Sequence, residues 1–458
     1  MAVRSGIPAG PRYPSLVQGI AFWTRPLASL ERWRARYGKR FTIRLPVAPP
    51  FVMLSDPAEV KEVFTAPPDV LHPGEGARVL EPVVGRNSVI LLDEAAHMEQ
   101  RKLMLPAFHG ERMARLSGLM TEVAEREVAG WPRGAPIELH PRMQALTLEI
   151  ILRAVFGLDP GRRLDALREQ LQAMLTYGDK PISLAPPQEG TLAAKVLDRV
   201  GPFAEYVRMQ ARADELIFEL IDERRAEGGE RDDVLAMMLD ARHEDGSPMR
   251  EQELRDELMT MLVAGHETTA SSLAFAFARL PHHPEVQRRL SHEIDSGDGD
   301  AYMTATIQET LRRRPVLPNS APRLVVKPIE VGGWSYPTGA ALVPSAYLIH
   351  HDPKLYPDPY VFRPERFLDE PPGTYTWIPF GGGRRRCLGA SFAMLEMKIV
   401  LRAVLSACEL RPAGAGVELA RRRNITIRPA HGARTVLADR EPLAAPERLA
   451  RGEDVLVA

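Results

Sequence analysis

The stretch "FGGGRRRCLGA" (Phe380–Ala390) contains one of only two cysteines in the chain. Three glycines and three arginines crowd the positions before Cys387. The run after it, "GASFAMLEMKIVLRAVLSA" (389–407), has the apolar spacing of a helix. Cys387 therefore stands at a helix N-terminus, where unpaired backbone N–H groups and the helix dipole favour a thiolate. The glycines permit a tight loop that turns its amides toward the sulfur. Cys408 lies at the far end of the same helix, roughly 28 Å away at about 1.5 Å per residue. A disulfide needs Cα atoms within about 7 Å, so the two cannot pair across an intact helix. Cys408 reads as a plain core or surface thiol. Taken alone, Cys387 fits a buried small residue as well as a reactive one. A nucleophilic role needs a histidine partner, and none lies close in sequence.

Composition narrows the field. The 458 residues are 45% hydrophobic and 26% charged, enough for one large core or two smaller ones. A net charge of −1 argues against a general nucleic-acid binder. Arginine outnumbers lysine 51 to 8, which reads as coding bias rather than a binding surface. Two cysteines make neither a disulfide framework nor a four-ligand zinc site. The start, "MAVRSGIPAGPRYPSLVQGIAFW", is broken by prolines and glycines and resembles neither a signal peptide nor a membrane span. A soluble cytoplasmic protein is expected.

The pattern along the chain is mainly α with minor β. After a loop-like start, "SLERWRARYG" (Ser29–Gly38) reads as a helix stopped by Gly38. "FTIRL" and "FVMLS" alternate as a strand pair. From about Pro57 to Gln308 the texture is helical, interrupted by "KPISLAPPQEG" (Lys180–Gly190), a long loop of the kind that forms lids. Short strands ("RLVV", "ALVPSAY"), a proline-dense coil, the helix after Cys387 and further strands to about Leu437 follow. Residues 1–440 are expected to form a single domain, with 441–458 a loose tail.

Three further segments carry candidate chemistry. "ETLR" sets Glu309 and Arg312 on one helical face, and "RPERF" supplies Arg366. A carboxylate flanked by two guanidiniums can satisfy both oxygens. "LVAGHETTASS" (Leu262–Ser272) lies inside a helical run from about Glu251 to Leu280. A mid-helix Gly costs about 1 kcal/mol relative to Ala, and paired threonines are poor helix formers, so local distortion is expected around Gly265, Thr268 and Thr269. The plain alternative is a buried helix with small residues at a crossing. "HMEQR" places His97 and Arg101 one helical turn apart, and Arg323 sits in "APRLVV".

Read together, these segments resemble the cytochrome P-450 monooxygenases over roughly residues 5–437. F-x-x-G-x-R-x-C-x-G, here Phe380, Gly383, Arg385, Cys387 and Gly389, is similar to the family's haem loop. The E-x-x-R, P-E-R-F, A-G-x-E-T-T and H-x-x-x-R segments occur in the family's order. The resemblance implies the P-450 fold, with a long central helix over the haem and small β-sheets. It implies haem b with a Cys387 thiolate as axial ligand. Phe380, Gly381 and Gly389 would line the cofactor, His97, Arg101, Arg323 and Arg385 would meet its propionates, and Ala264 and Gly265 would leave a groove for dioxygen. Glu267 and Thr268 would be the acid–alcohol pair that delivers protons. Glu309, Arg312 and Arg366 would lock the coil leading to the cysteine.

The implied reaction is hydroxylation of a mostly apolar small molecule (fatty acid, terpenoid, steroid or polyketide) with oxygen from O2. Electrons would come from a separate ferredoxin or flavodoxin and its NAD(P)H-dependent reductase, drawn to Arg384, Arg386 and Lys102. Substrate contacts are expected from Val70–Val89, the Lys180–Gly190 lid, Thr260, Val263 and Ala264, and Val316, Asn319 and Ser320. A peroxide-driven peroxygenase and a non-catalytic haem sensor are the rival readings, and neither has an evident use for the acid–alcohol pair. No membrane span and no nucleic-acid partner are expected, and a monomer is.

Overall fold

Apolar residues on every side of Glu251–Arg279 make it a helix that other elements surround rather than one lying at the surface. The computed structural model describes residues 4–108, 111–177, 202–227 and 233–440. The Lys180–Gly190 lid and the 441–458 tail lie outside the described residues. Leu254, Leu258, Met259, Ala270, Leu273 and Phe277 of this central helix are fully or almost fully buried in the main core. The helix Leu139–Phe156 crosses it at Gly265, where an added Cβ would come within 3.2 Å of the Ile151 side chain. Glu111–Ala129 packs on Leu139–Phe156 and on the helix Ala390–Ala407, which follows Cys387.

The expected distortion of the central helix does not occur as a break: the helix is continuous from Glu251 to Arg279. The hydroxyls of Thr268, Thr269 and Ser272 donate to the carbonyls four residues back, at 2.7, 3.0 and 2.8 Å. This back-bonding absorbs side chains that would otherwise compete with the helix. The start is likewise more ordered than its prolines suggest, since Ser15–Thr24 is a helix running directly into Pro26–Tyr37. Gly38 then ends the second helix with φ +87°.

The β structure is small and peripheral. Arg40–Ile43 pairs antiparallel with Phe51–Leu54, as the alternation predicts. Ala341–Pro344 joins Phe51–Leu54 in parallel, and Arg323–Val325 and Leu71–His72 complete a five-stranded sheet. A second core of Val52, Leu54, Val60, Phe64, Val325 and Leu342 lies against it. Near the C-terminus Arg434–Asp439 pairs with both Cys408–Pro412 and Pro136–Glu138. The hairpin Ala420–Arg423/Thr426–Pro429 lies against the central helix.

Candidate active site

The glycines before Cys387 exist because the loop has no room for side chains. Gly383 has φ +64°, and a Cβ there would sit 2.1 Å from the Phe64 carbonyl oxygen. A Cβ on Gly382 would sit 2.4 Å from the Phe64 ring. The loop closes on itself through the Cys387 N–H, which donates to the Phe380 carbonyl at 3.0 Å. The cysteine helix starts at Ala390, three residues beyond the sulfur-bearing position. Cys387 is accessible to a water-sized sphere, yet protein encloses it closely enough for burial to push the thiol above its usual range. Both hold for a side chain that opens into an interior hollow. The Gly389 N–H, Arg101 and Arg386 pull the thiol the other way without prevailing. The expectation that the helix terminus alone favours the thiolate is thus corrected: desolvation outweighs it. Cys408 is buried and its thiol donates to the Val404 carbonyl at 3.1 Å, the behaviour of a plain core cysteine.

Beneath the loop, Glu309 and Arg312 are completely buried and meet through two hydrogen bonds of 2.7 and 2.8 Å. Arg366 brings Nε to 3.1 Å from Glu309 Oε2, an ion-pair contact whose N–H is not aimed as a hydrogen bond. The backbone N–H of Arg363 supplies a donor that sequence reasoning missed, at 2.9 Å from Oε1. Arg312 also donates to the carbonyls of His350, Pro359 and Val361. One guanidinium therefore braces the coil through backbone acceptors that no side-chain pattern reveals.

Four cationic or basic side chains converge above. His97 is buried, and burial with the charges of Arg385 and Arg101 depresses its pKa to about 3. Burial also lowers Arg101, which interacts with Cys387. Arg323 is drawn down to about 9 by burial and by Arg385. Its guanidinium donates to the Ala321 carbonyl at 2.5 Å and lies 4.8 Å from the Phe64 ring centre, with no carboxylate partner among the described residues. Arg385 reaches Asp93 at 2.6 Å and the carbonyls of Val89, Ile90 and Leu92. Burying so much positive charge with one local carboxylate is costly unless an anion joins it. A group carrying two carboxylates fits this set.

The central helix opens at one place. Residues 253–262 and most of 266–278 are buried, but Ala264 is exposed and Val263, Gly265 and Thr268 are half-buried. Ala264 and Thr268, one turn apart, share that open face. Gly265 instead meets Ile151 at the helix crossing, so its missing side chain is explained by packing. Glu267 points elsewhere. Its carboxylate accepts from Gln144 at 2.7 Å, Arg423 at 2.5 Å and Ser271 at 3.1 Å, with His140 at 3.6 Å. Burial alone would raise its pKa; His140 and Arg423 outweigh it and bring it to about 2. Sequence reasoning missed all four partners, which lie on other elements or in plain polar positions. Thr260 is buried; its hydroxyl donates to the Asp256 carbonyl at 2.6 Å and accepts from the Ser88 hydroxyl at 2.7 Å. Val316 packs with Phe275 and Ile427. Ser320 is tied to Pro344 through its N–H, and Asn319 Oδ1 is buried without a partner among the described residues.

A lone thiol at a glycine loop, a buried cationic cluster and a helix opened at one face define a site for an anionic, axially ligated cofactor. The cytochrome P450 family model matches residues 8–432. Over 456 residues the chain is 39% identical to the protein designated cytochrome P450 135B1 of Mycobacterium tuberculosis, covering 98% of this chain and 95% of that one. It is 37% identical over 436 residues to cytochrome P450 138 of Mycobacterium bovis, covering 95% and 97%. Among solved structures it is similar to a cytochrome P450DA heme domain, with TM-score 0.81, 25% identity and 96% and 99% of the two chains covered. A retinoic acid-bound cyanobacterial CYP120A1 shares the fold at TM-score 0.79 and 23% identity, covering 95% and 100%. The chain belongs to the cytochrome P450 family. It is a haem-thiolate monooxygenase, and the residues described fit a haem with a cysteine ligand: a thiol open to a hollow would serve as the donor, and the basic side chains with one local carboxylate suit a group carrying two carboxylates. Metal binding would also reverse the unfavourable ionisation of Cys387, since a coordinated thiol gives up its proton.

Proposed function

We propose that the protein hydroxylates a mostly apolar small molecule, a fatty acid, terpenoid, steroid or polyketide, at a haem b ligated by Cys387. The observation that carries the reading is the opening of the buried central helix at Ala264 and Thr268, beside the ionised carboxylate of Glu267. The haem, when bound, supplies oxygen activation, and a thiolate ligand favours O–O cleavage. The chain supplies placement and protons. His97, Arg101, Arg323 and Arg385 hold the propionates. Phe380, Gly381 and Gly389 complete the cradle, and Glu309, Arg312 and Arg366 keep the supporting coil rigid. The Thr268 hydroxyl, which donates to the Ala264 carbonyl, turns to pass a proton across the open face. Glu267 carries no proton at neutral pH while Arg423 holds it, so a relay through Glu267 takes its proton from water as that contact loosens. Thr260, Val263 and Val316 limit water beside the substrate, Ser320 fixes the turn, and Asn319 Oδ1 offers an acceptor to one polar group.

Electrons come from a ferredoxin or flavodoxin and its reductase. Lys102 is exposed but paired with Glu244 at 2.8 Å, so the positive approach rests on Arg384 and Arg386, both exposed. Residues 1–440 act as one domain, in a monomeric cytoplasmic protein. Among the described residues no helix is long and apolar enough to cross a membrane. The test supplies a compound panel with reduced nicotinamide through a surrogate ferredoxin and reductase, and in parallel with hydrogen peroxide alone. Hydroxylated product in the first arm supports the reading. Product only with peroxide assigns a peroxygenase, and ligand-shifted spectra without product in either arm assign a sensor.

A further inference from the structure

Three arginines outside the site described above are taken into the protein without a carboxylate. The central helix ends at Arg279, and the helix Ala301–Arg313 ends at Arg313 with Arg314 as its cap. Arg313 is buried, and Arg279 and Arg314 are half-buried. Among the described residues none of the three joins an ion pair. The carboxylates within electrostatic reach are already held: Glu309 by Arg312 and Arg366, and Glu31 by the hydroxyls of Tyr347 and Tyr360. Nε of Arg313 and Nε of Arg314 are buried with no acceptor among the described residues.

The partners these guanidiniums do have are neutral. Arg313 donates to the His351 ring at 2.6 Å and lies 5.5 Å from the centre of the Tyr360 ring. His351 accepts as the neutral ring, its other nitrogen donating to the Tyr347 carbonyl at 2.8 Å. Arg314 donates to the Arg313 carbonyl at 3.1 Å. Arg279 lies 6.0 Å from the centre of the Phe362 ring, two residues beyond Tyr360 in the same coil. The three charges also feel one another. Burial, with Arg314 and Arg279, draws Arg313 down to about 9; burial, with Arg314, draws Arg279 down to about 10. Gathering cations out of water with no anion between them is costly. Tyr360 is 55% exposed, so the cluster reaches solvent at that edge. A monocarboxylate would offset one of the three charges. A phosphoryl dianion carries more charge and more acceptor oxygens, and guanidinium forks match its geometry.

We propose that Arg279, Arg313 and Arg314 form a binding site for a phosphoryl dianion, free phosphate or the phosphate of a small phosphomonoester, with Tyr360 at its mouth. This stands independently of the haem-site and substrate readings. Arg314 comes two residues before Val316, whose carbonyl accepts the Ile427 N–H at 2.9 Å. A bound anion therefore braces the start of the segment that leads into the proposed substrate wall.

The experiment is equilibrium dialysis of the full-length holoprotein against labelled inorganic phosphate at fixed ionic strength, with thermal unfolding in parallel. One phosphate per chain should bind saturably, and at a hundred times Kd it should favour the folded state about 100-fold. The double variant Arg279→Gln/Arg314→Gln should bind about tenfold or more weakly. Its carbon monoxide spectrum should be unchanged, and without phosphate it should unfold no lower than the parent, since unpaired buried cations have gone. Arg314→Lys keeps the charge and loses the fork, so it should also weaken binding, in a protein whose fold is not at risk. Arg36→Gln, at an exposed arginine of another helix, should bind as the parent does. Adenosine monophosphate separates the sources. Tighter binding than phosphate, returned to the phosphate level by Tyr360→Ala, assigns a nucleotide; equal or weaker binding assigns free phosphate. Absence of saturable phosphate binding overturns the proposal, as does equal binding by the double variant. Acetate that binds as tightly as phosphate overturns the phosphoryl assignment.

Discussion

Glu309 and Glu267 are both buried carboxylates held by arginine, one under the cysteine loop and one on the distal helix. Glu309 is matched by neighbours: Arg312 three residues on, Arg363 and Arg366 from the coil it braces. Its arginine spends its remaining N–H groups on backbone carbonyls. Such a knot has no moving part. Glu267 is matched by strangers, Gln144 from a crossing helix and Arg423 from an edge hairpin, and the next residue is Thr268 on the open face. The same chemistry therefore braces one coil where the partners come from it, and ties separate elements together where they do not. A third acid, Glu257, sharpens the point. It lies on the same helix as Glu267, is fully buried, and has no arginine partner among the described residues; burial pushes it up to about 8. Burial sets the direction until a cation reverses it.

The largest expected effect lies under the loop. Cys387→His should abolish the red-shifted Soret band of the reduced, carbon monoxide-bound protein; retention of that band would remove Cys387 as the ligand. Next is Glu309→Ala, which strands two buried guanidiniums. Breaking a buried pair costs about 3–5 kcal/mol, so the denaturant midpoint should fall sharply and haem retention with it. A loss under about 1 kcal/mol would show that the knot is not a strut.

On the distal side, Thr268→Ala should spare haem and substrate binding. It should divert electrons to hydrogen peroxide, since general acid–base groups contribute about 10²–10⁴-fold to the step they assist. Product per electron pair is the measurement, and an unchanged yield ends the proton-delivery role.

The two remaining predictions concern pH and have opposite signs. Glu267 is held at about 2, below its usual 4.5. Its stabilising contribution is therefore complete above about 4.5 and lost as pH falls toward 2. Arg423→Gln should flatten that acid limb, and should raise nicotinamide consumption in the absence of substrate by freeing Glu267. Identical acid limbs in parent and variant would show that Arg423 does not hold the carboxylate. Glu257, raised to about 8 from 4.5, keeps its proton in the folded state while the unfolded chain loses it. Stability should decline as pH rises from about 4.5 to 8. Glu257→Gln should remove that decline; a parent whose unfolding midpoint is flat over this range contradicts the shift.

Residue type and local spacing sufficed to pair Glu309 with Arg312, to draw the strand pair at Arg40–Leu54 and to read the helical run through Gly265 and Thr268, and the family resemblance added Arg366. Apart from the reach from Glu309 to Arg366, those features rest on interactions within a few residues or on motifs written contiguously. The start of the chain misled, because Pro14 and Pro26 flank a helix rather than prevent one. The direction of the Cys387 shift also misled, because a helix terminus is visible in a sequence and desolvation is not.

What the sequence determined by itself was therefore the cast: a thiol at a glycine loop, an acid and an alcohol on one long helix, and an acid between arginines. What only the tertiary structure decided was which way each side chain faces. Gly265 meets Ile151 while Thr268, roughly 60° round the same helix, lies at the open face, because the crossing helix covers one of the two positions and not the other. Glu267 turns to Arg423, 156 residues away, because a buried carboxylate takes the cation that the fold brings within reach. No periodicity or motif records that meeting, since it depends on where an edge hairpin lands after the core has closed.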